Sequence, residues 1–223
     1  MVYVGKDYKV TFHGNKSLII GTLGDNGVVT KPVWGTGLVS MAAMENQSES
    51  EAQYADDEVW TTISGAPLLT GSLTFMQLNS DLRTDFFGQT EVIGTVGGVK
   101  VTGYGDSGNY PSRIVEYLIE GTATSKIDGS VQAAALLTVY PNCQVTSSPS
   151  KESETDTDSI SVVNWTANIQ ATTTDKFVVG GKKLPAVEIQ IIGDTEVANL
   201  KKALAEGKFL QLGVAGAGAG TGV

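Results

Sequence analysis

The stretch RIVEYLIEGTATSKIDGSVQAAALLTVYPNCQV, Arg113 to Val145, decides the fold class. From Arg113 to Thr122 the residues alternate. Val115, Tyr117 and Ile119 fall on one side of an extended chain, and Glu116, Leu118 and Glu120 on the other. After the tight turn at Asp128-Gly129, Val131, Ala133, Ala135, Leu137 and Val139 line one side of a second run ending at Tyr140. Side chains on a pleated backbone point alternately to opposite faces, so a period of two is the signature of strands. Two such runs joined by a DG turn predict an antiparallel hairpin in the core sheet of a mainly β protein.

Working outward, the same logic predicts further strands. Tyr8 to Phe12 and Ser17 to Leu23 read as a hairpin turning at His13-Gly14-Asn15, followed by a turn at Asp25-Asn26-Gly27. Val33 to Asn46 fits a helix or a strand, and the strand is favoured. Glu58 to Ser64 reads as a strand, Ala66 to Gly71 as a turn, and Ser72 to Leu78 as a strand with Leu73 and Phe75 on one face. Strands around Val163 to Ile169 and Val187 to Ile191 complete the set, with a hairpin turn at Gly180-Gly181. Two helices are predicted. Asn79 to Phe87 is short, with Ser80 as its cap, Leu82 and Phe86 paired four residues apart, and Gly88 as its stop. The second is capped by Asp194 or Thr195, shares Val197, Leu200 and Leu204 on one face with Lys201 and Lys202 outside, and stops at Gly207. Residues 1–212 therefore read as one β domain with extended loops, and residues 213–223 as a flexible Gly-rich tail.

Composition narrows the function. The chain has 223 residues, enough for one substantial core. Its 24 acidic and 15 basic residues give a net charge of −9, with no basic patch of the kind that grips phosphates. Cys143 is the single cysteine and His13 the single histidine, so an internal disulfide and a zinc site built on Cys and His are both excluded. Cys143 reads as a packed thiol and His13 as an exposed turn residue. The first ten residues lack the apolar core of a signal peptide, and no apolar run approaches the length of a membrane span. Gly-rich stretches at Gly35 and Gly216 lack the βαβ context of a dinucleotide fingerprint. No nucleophile–base pair or patterned calcium loop is present, so no catalytic, cofactor or metal residue is assigned and an enzyme is not expected.

What remains is surface chemistry. The stretch ENQSESEAQYADDEVWTTISG, Glu45 to Gly65, carries six acidic residues and no basic one. Adjacent carboxylates repel unless something screens them, so Asp56, Asp57 and Glu58 are expected to face solvent, a lumen or basic groups such as Lys31, Arg83 and Arg113. Trp60 beside them is of the type enriched at protein interfaces, while ordinary core packing accounts for it equally well. The polar segment Thr146 to Ser161 cannot fold on its own apolar burial and is expected to be mobile or ordered by a neighbour. Glu45, Asp56, Asp57, Glu58, Trp60, Arg83, Glu152 and Asp156 form the candidate assembly interface.

The landmarks AAMENQSESEAQYADDEVW, GSLTFMQLNSDLRTDFFG, EYLIEGTATSKIDGSVQAAALLTVYPNCQV, SVVNWTANIQATT and VEIQIIGD run in order from about Leu38 to Asp194. In them the chain resembles the major tail proteins, or tail tube proteins, of long-tailed bacteriophages of Gram-positive hosts. The resemblance implies a β-sandwich or small-barrel core with a flanking helix, here Asn79 to Phe87. It implies hexameric rings whose sheets join into a continuous inner barrel, stacked around a tape measure protein into a tube through which viral double-stranded DNA passes. It further implies contact with tail terminator and distal tail proteins, a place in the virion tail, and assembly in the host cytoplasm. By that analogy Glu45 to Trp60 belongs to a long hairpin or arm that meets neighbouring subunits. The Gly-rich end is unlike an immunoglobulin-like decoration, so a tube without large outer projections is expected. A related hexameric secretion-type tube and a glycan-binding β-sandwich are the alternatives.

Overall fold

A computed structural model of the chain describes residues 7–55, 58–152 and 162–211, with the side chains of residues 16, 54–64 and 152 outside the described set. The strands are β1 Tyr8–Leu23, β2 Val29–Trp34, β3 Leu38–Met41, β4 Glu45–Asn46, β5 Ser50–Ala55, β6 Glu58–Ser64, β7 Leu68–Phe75, β8 Gln89–Val96 and β9 Val99–Asp106. There follow β10 Arg113–Ser125, β11 Val131–Val145, β12 Ser150–Glu152, β13 Asn164–Thr172, β14 Val178–Val179, β15 Lys182–Lys183, β16 Val187–Ile192 and one α-helix, α1 Asp194–Ala205. The protein is mainly β, as the alternation in the sequence predicts.

The hairpin of β10 and β11 is the spine, in register from Thr124 opposite Val131 to Arg113 opposite Cys143. Around it runs one antiparallel sheet in the order β2-β1-β10-β11-β13-β7-β3, with β12 on β13, β16 on β11 and β4 on β7. Its two extremities, β2 and β3, are separated in sequence only by residues 35–37, so the sheet must curl until its ends meet. At the meeting the Asn15 side-chain amide of β1 donates to the Val39 carbonyl of β3 at 2.9 Å.

Two cores follow from the two faces of the curl. Inside lie Leu18, Ile20, Leu73, Phe75, Val115, Tyr117, Tyr140, Cys143, Ala167 and Ile169, closed by Leu82, Phe86 and Phe87. On the outer face Val197 and Leu204 of α1 pack with Ile19, Leu118, Ala135, Leu137 and Val139. Alternation lets a strand such as β10 serve both faces at once, with Val115 and Tyr117 inside and Leu118 outside, and β11 also changes phase along its length. In β11 the register against β10 slips between Arg113 and Val115, opposite Pro141-Asn142. Proline has no N–H for a ladder, and a bulge there re-aims the strand. Ala135, Leu137 and Val139 therefore face α1, while Cys143 and Val145 face the interior. Cys143 is the packed thiol the sequence suggests, and burial pushes it up to about 12.

Several local expectations need correction. His13-Gly14-Asn15 is not a hairpin turn. Both flanking segments pair with the same strand, Tyr8–Phe12 with Gly121–Ser125 and Ser17–Gly21 with Ile114–Leu118, so β1 is one strand interrupted by bulges, with Gly14 at φ +78°. Ala66 to Gly71 is not a turn either. Leu68 to Gly71 ladders with β13, and tertiary pairing overrides the local Pro and Gly signals. The short helix is a single π-turn, Leu82–Phe86, capped by Asn79 and not Ser80, because the Asn79 side-chain oxygen accepts from the Leu82 N–H at 2.7 Å. At α1 the N-cap is Gly193, and Asp194 instead accepts the Ala133 N–H at 2.7 Å. Lys201 turns inward to pair with Glu120 at 2.5 Å. The predicted stop is correct: Gly207 has φ +76°, and the Lys208 N–H returns to the Ala203 carbonyl at 2.9 Å. Among the described residues no helix is long and apolar enough to cross a membrane.

Candidate assembly interface

Two antiparallel ribbons leave the curled sheet. The first grows out of its β3/β4 edge. β4 pairs with β7, the Gln47 N–H donates to the Leu68 carbonyl and the Gly65 N–H to the Glu49 carbonyl, both at 2.8 Å, and β5 and β6 then continue the ladder from Ser50–Ser64 to Ala55–Glu58. The register passes from Gln53 opposite Thr61 to Tyr54 opposite Val59, which makes Trp60 the extra residue of a bulge. Beyond its root this ribbon pairs, among the described residues, only with itself.

The second ribbon, β8 and β9, pairs from Gln89–Asp106 to Val96–Val99, and among the described residues it too pairs only with itself. Its tip turn is Gly97-Gly98, at φ +57° and +83°, where positive angles favour glycine.

The root of this second ribbon is held by a dense set of contacts. The Arg83 guanidinium lies 5.0 Å from the Tyr104 ring centroid and 4.7 Å from that of Trp165. Its Nη1 donates to the Gln89 side-chain oxygen at 3.1 Å, and Gln89 Nε2 donates to Ser148 Oγ at 3.2 Å. Across the root Ser107 Oγ donates to the Gly88 carbonyl at 2.6 Å, and the Tyr110 hydroxyl donates to Asp106 at 2.9 Å. The Gly108 amide, and then that hydroxyl, hold the Asp106 carboxyl below its ordinary range. Gly88 sits at φ +61°, and a Cβ there would run into the Asn109 carbonyl. Arg83→Ala removes two cation–π contacts and two hydrogen bonds, to Gln89 and to the Leu78 carbonyl, and is expected to cost about 1–3 kcal/mol in urea unfolding. Hydrogen exchange in residues 89–106 should quicken in the same variant; an unchanged unfolding midpoint would refute this bracing role.

The residues predicted from sequence are only partly gathered here. Glu45 is exposed on β4, at the foot of the first ribbon. Glu58 and Trp60 lie on β6, their side chains outside the described set, and Glu152 ends β12 on the same terms. Asp56, Asp57 and Asp156 lie outside the described residues. Arg83 stands apart, engaged at the root of the second ribbon. Among the described residues no group of three or more His, Cys, Asp and Glu side chains is gathered as a metal site would require.

A family profile described as phage tail tube protein matches residues 1–214. The chain belongs to the phage tail tube protein family. It is 35% identical over 206 residues to the tail tube protein of Lactococcus phage F4-1. It is 36% identical over 208 residues to those of Lactococcus phages SK1 and p2. Each match covers 89% of this chain and 66% of the relative, so the chain spans slightly less than two thirds of these tail tube proteins. Membership of this family makes the chain a structural protein and not an enzyme.

For a tail tube protein, the ribbon overlooked by the sequence reading is β8–β9. Its signal is present: Gly97-Gly98 flanked by Thr95-Val96 and Val99-Lys100-Val101, the pattern of a two-residue hairpin loop.

Proposed function

We propose that the chain is the repeating subunit of a phage tail tube, forming hexameric rings that stack around a tape measure protein and later conduct the double-stranded genome. The observation that carries this reading is the family match across residues 1–214, and the two self-paired ribbons supply arms for contact between copies. Tail terminator and distal tail proteins bound the stack, which is built in the host cytoplasm and ends in the virion tail. Residues 1–212 act as one assembly unit. A lumen poor in clustered basic groups suits the passage of a polyanion, since each phosphate contact would hold it back.

Within that reading the acidic stretch is an assembly surface, with Glu45, Asp56, Asp57, Glu58, Trp60, Glu152 and Asp156 meeting neighbouring copies and Arg83 supporting the adjacent arm. Changing Asp56, Asp57 and Glu58 together to Lys is expected to impair ring stacking while leaving the circular dichroism spectrum and melting curve of the monomer intact. Tubes of normal length from this variant, viewed by negative-stain electron microscopy, would remove the acidic stretch from the interface.

A further inference from the structure

The β8–β9 ribbon has two chemically different faces. Register places Thr90, Val92, Gly94, Val96, Val99, Val101, Gly103 and Gly105 on one side, and Gln89, Glu91, Ile93, Thr95, Lys100, Thr102, Tyr104 and Asp106 on the other. The first face carries no charge and is open to solvent: Val92 is 55% exposed, Val96 68%, Val99 65% and Val101 40%. Glycines between the valines flatten it, and a Cβ at Gly103 would meet nothing within 4 Å. An isolated two-stranded ribbon is marginal in water, and aligned exposed valines of this kind mark a contact surface. We propose that the valine face of this ribbon is a docking surface for a second copy of this chain.

Charge and area favour a copy of the chain as the occupant. Most of a molecule with net charge −9 repels its own kind, yet residues 94–102 carry one charge only, the cation of Lys100. This tip approaches an acidic neighbour with attraction, whereas one lysine, on the side of the ribbon opposite the valines, gives little hold on nucleic acid. Eight residues per strand at about 3.4 Å, with strands about 4.8 Å apart, present a face of roughly 27 by 10 Å. That falls well short of the roughly 800 Å² per partner that a stand-alone complex needs. It suffices as one contact among several repeated between identical copies. The root fixed by Gly88, Arg83 and Asp106 holds the ribbon out in advance, which lowers the ordering cost of docking.

The inference rests on the tube reading, and the test separates the two. Val96→Thr/Val99→Thr keeps shape and strand propensity and adds hydroxyls to the docking face. Wild type and variant are compared by sedimentation over a concentration range, by electron microscopy, and by hydrogen exchange of residues 89–106. Wild type is expected to assemble with slowed exchange in the ribbon, and the variant to need at least tenfold higher concentration with an unchanged melting temperature. Equal assembly of both proteins, with the ribbon exchanging freely, would overturn the docking surface and leave the tube standing. Protection that appears only in whole tails, and not in tubes of this chain alone, would give the face to another virion protein and overturn docking to a copy. A wild type that neither assembles nor slows exchange at any concentration would overturn docking to a copy, and the tube reading then falls only if the chain is also absent from virion tails.

Discussion

Phe87→Ala is expected to lose 3–5 kcal/mol of stability, about the usual cost of deleting a buried phenylalanine ring. Phe87 is fully buried and stands at the junction of the interior core, edge-on to Phe75 at 6.2 Å and tilted against Phe86 at 5.1 Å. The π-turn that presents these rings is the plug of the curled sheet, anchored by Asn79, whose amide also donates to the Trp34 carbonyl at 3.0 Å and to Thr36 at 3.1 Å. Urea unfolding measures the loss directly. A shift below about 1 kcal/mol would mean that the plug is not what holds the curl closed.

The second large effect depends on pH. Glu116 projects to the outer face of β10 and is 1% exposed. One carboxylate oxygen accepts the Leu210 N–H at 2.7 Å, and the other has no hydrogen-bond partner among the described residues. Burial pushes its pKa up to about 7, against a smaller lowering by the Leu210 amide. The folded state then holds a proton that the unfolded state releases near the ordinary glutamate value. Stability from this group is complete below that value and is lost as pH rises toward 7. Each pH unit in this window costs about 1.4 kcal/mol. Glu116→Gln keeps the acceptor for Leu210 and cannot ionise. Its stability relative to wild type is expected to rise by about 2–3 kcal/mol between pH 4.5 and 8. The difference between the two proteins cancels the titration of the other carboxylates. A flat difference across pH would show that Glu116 ionises freely in the folded chain.

The legible and illegible parts of the chain divide on physical lines. The β10–β11 hairpin was readable because period, turn residues and burial agree from Arg113 to Tyr140. The same agreement revealed β13, β16 and the buried face of α1. β1 was misread because Gly14 signals a turn, whereas the shared partner β10 that makes it a bulge is about a hundred residues away. Asn79 was passed over as the cap for Ser80, its neighbour with an equally good hydroxyl, since only the fold shows which side chain reaches the Leu82 N–H. Glu116 alternates as an outward-facing residue should, and nothing local reveals that α1 and the segment after it cover that face. The β8–β9 ribbon was missed for the opposite reason. Among the described residues its valines belong to none of the core clusters, so burial gives no local signal for them. The acidic stretch is legible as chemistry, and its flanks form the ribbon of β5 and β6.

Assembly is tested most directly by negative-stain electron microscopy of concentrated protein together with the tails of intact virions. Hollow tubes built of rings with six subunits, and the same chain along the tail, are the predicted result. Monomers alone in solution, with the chain absent from purified virions, would contradict it.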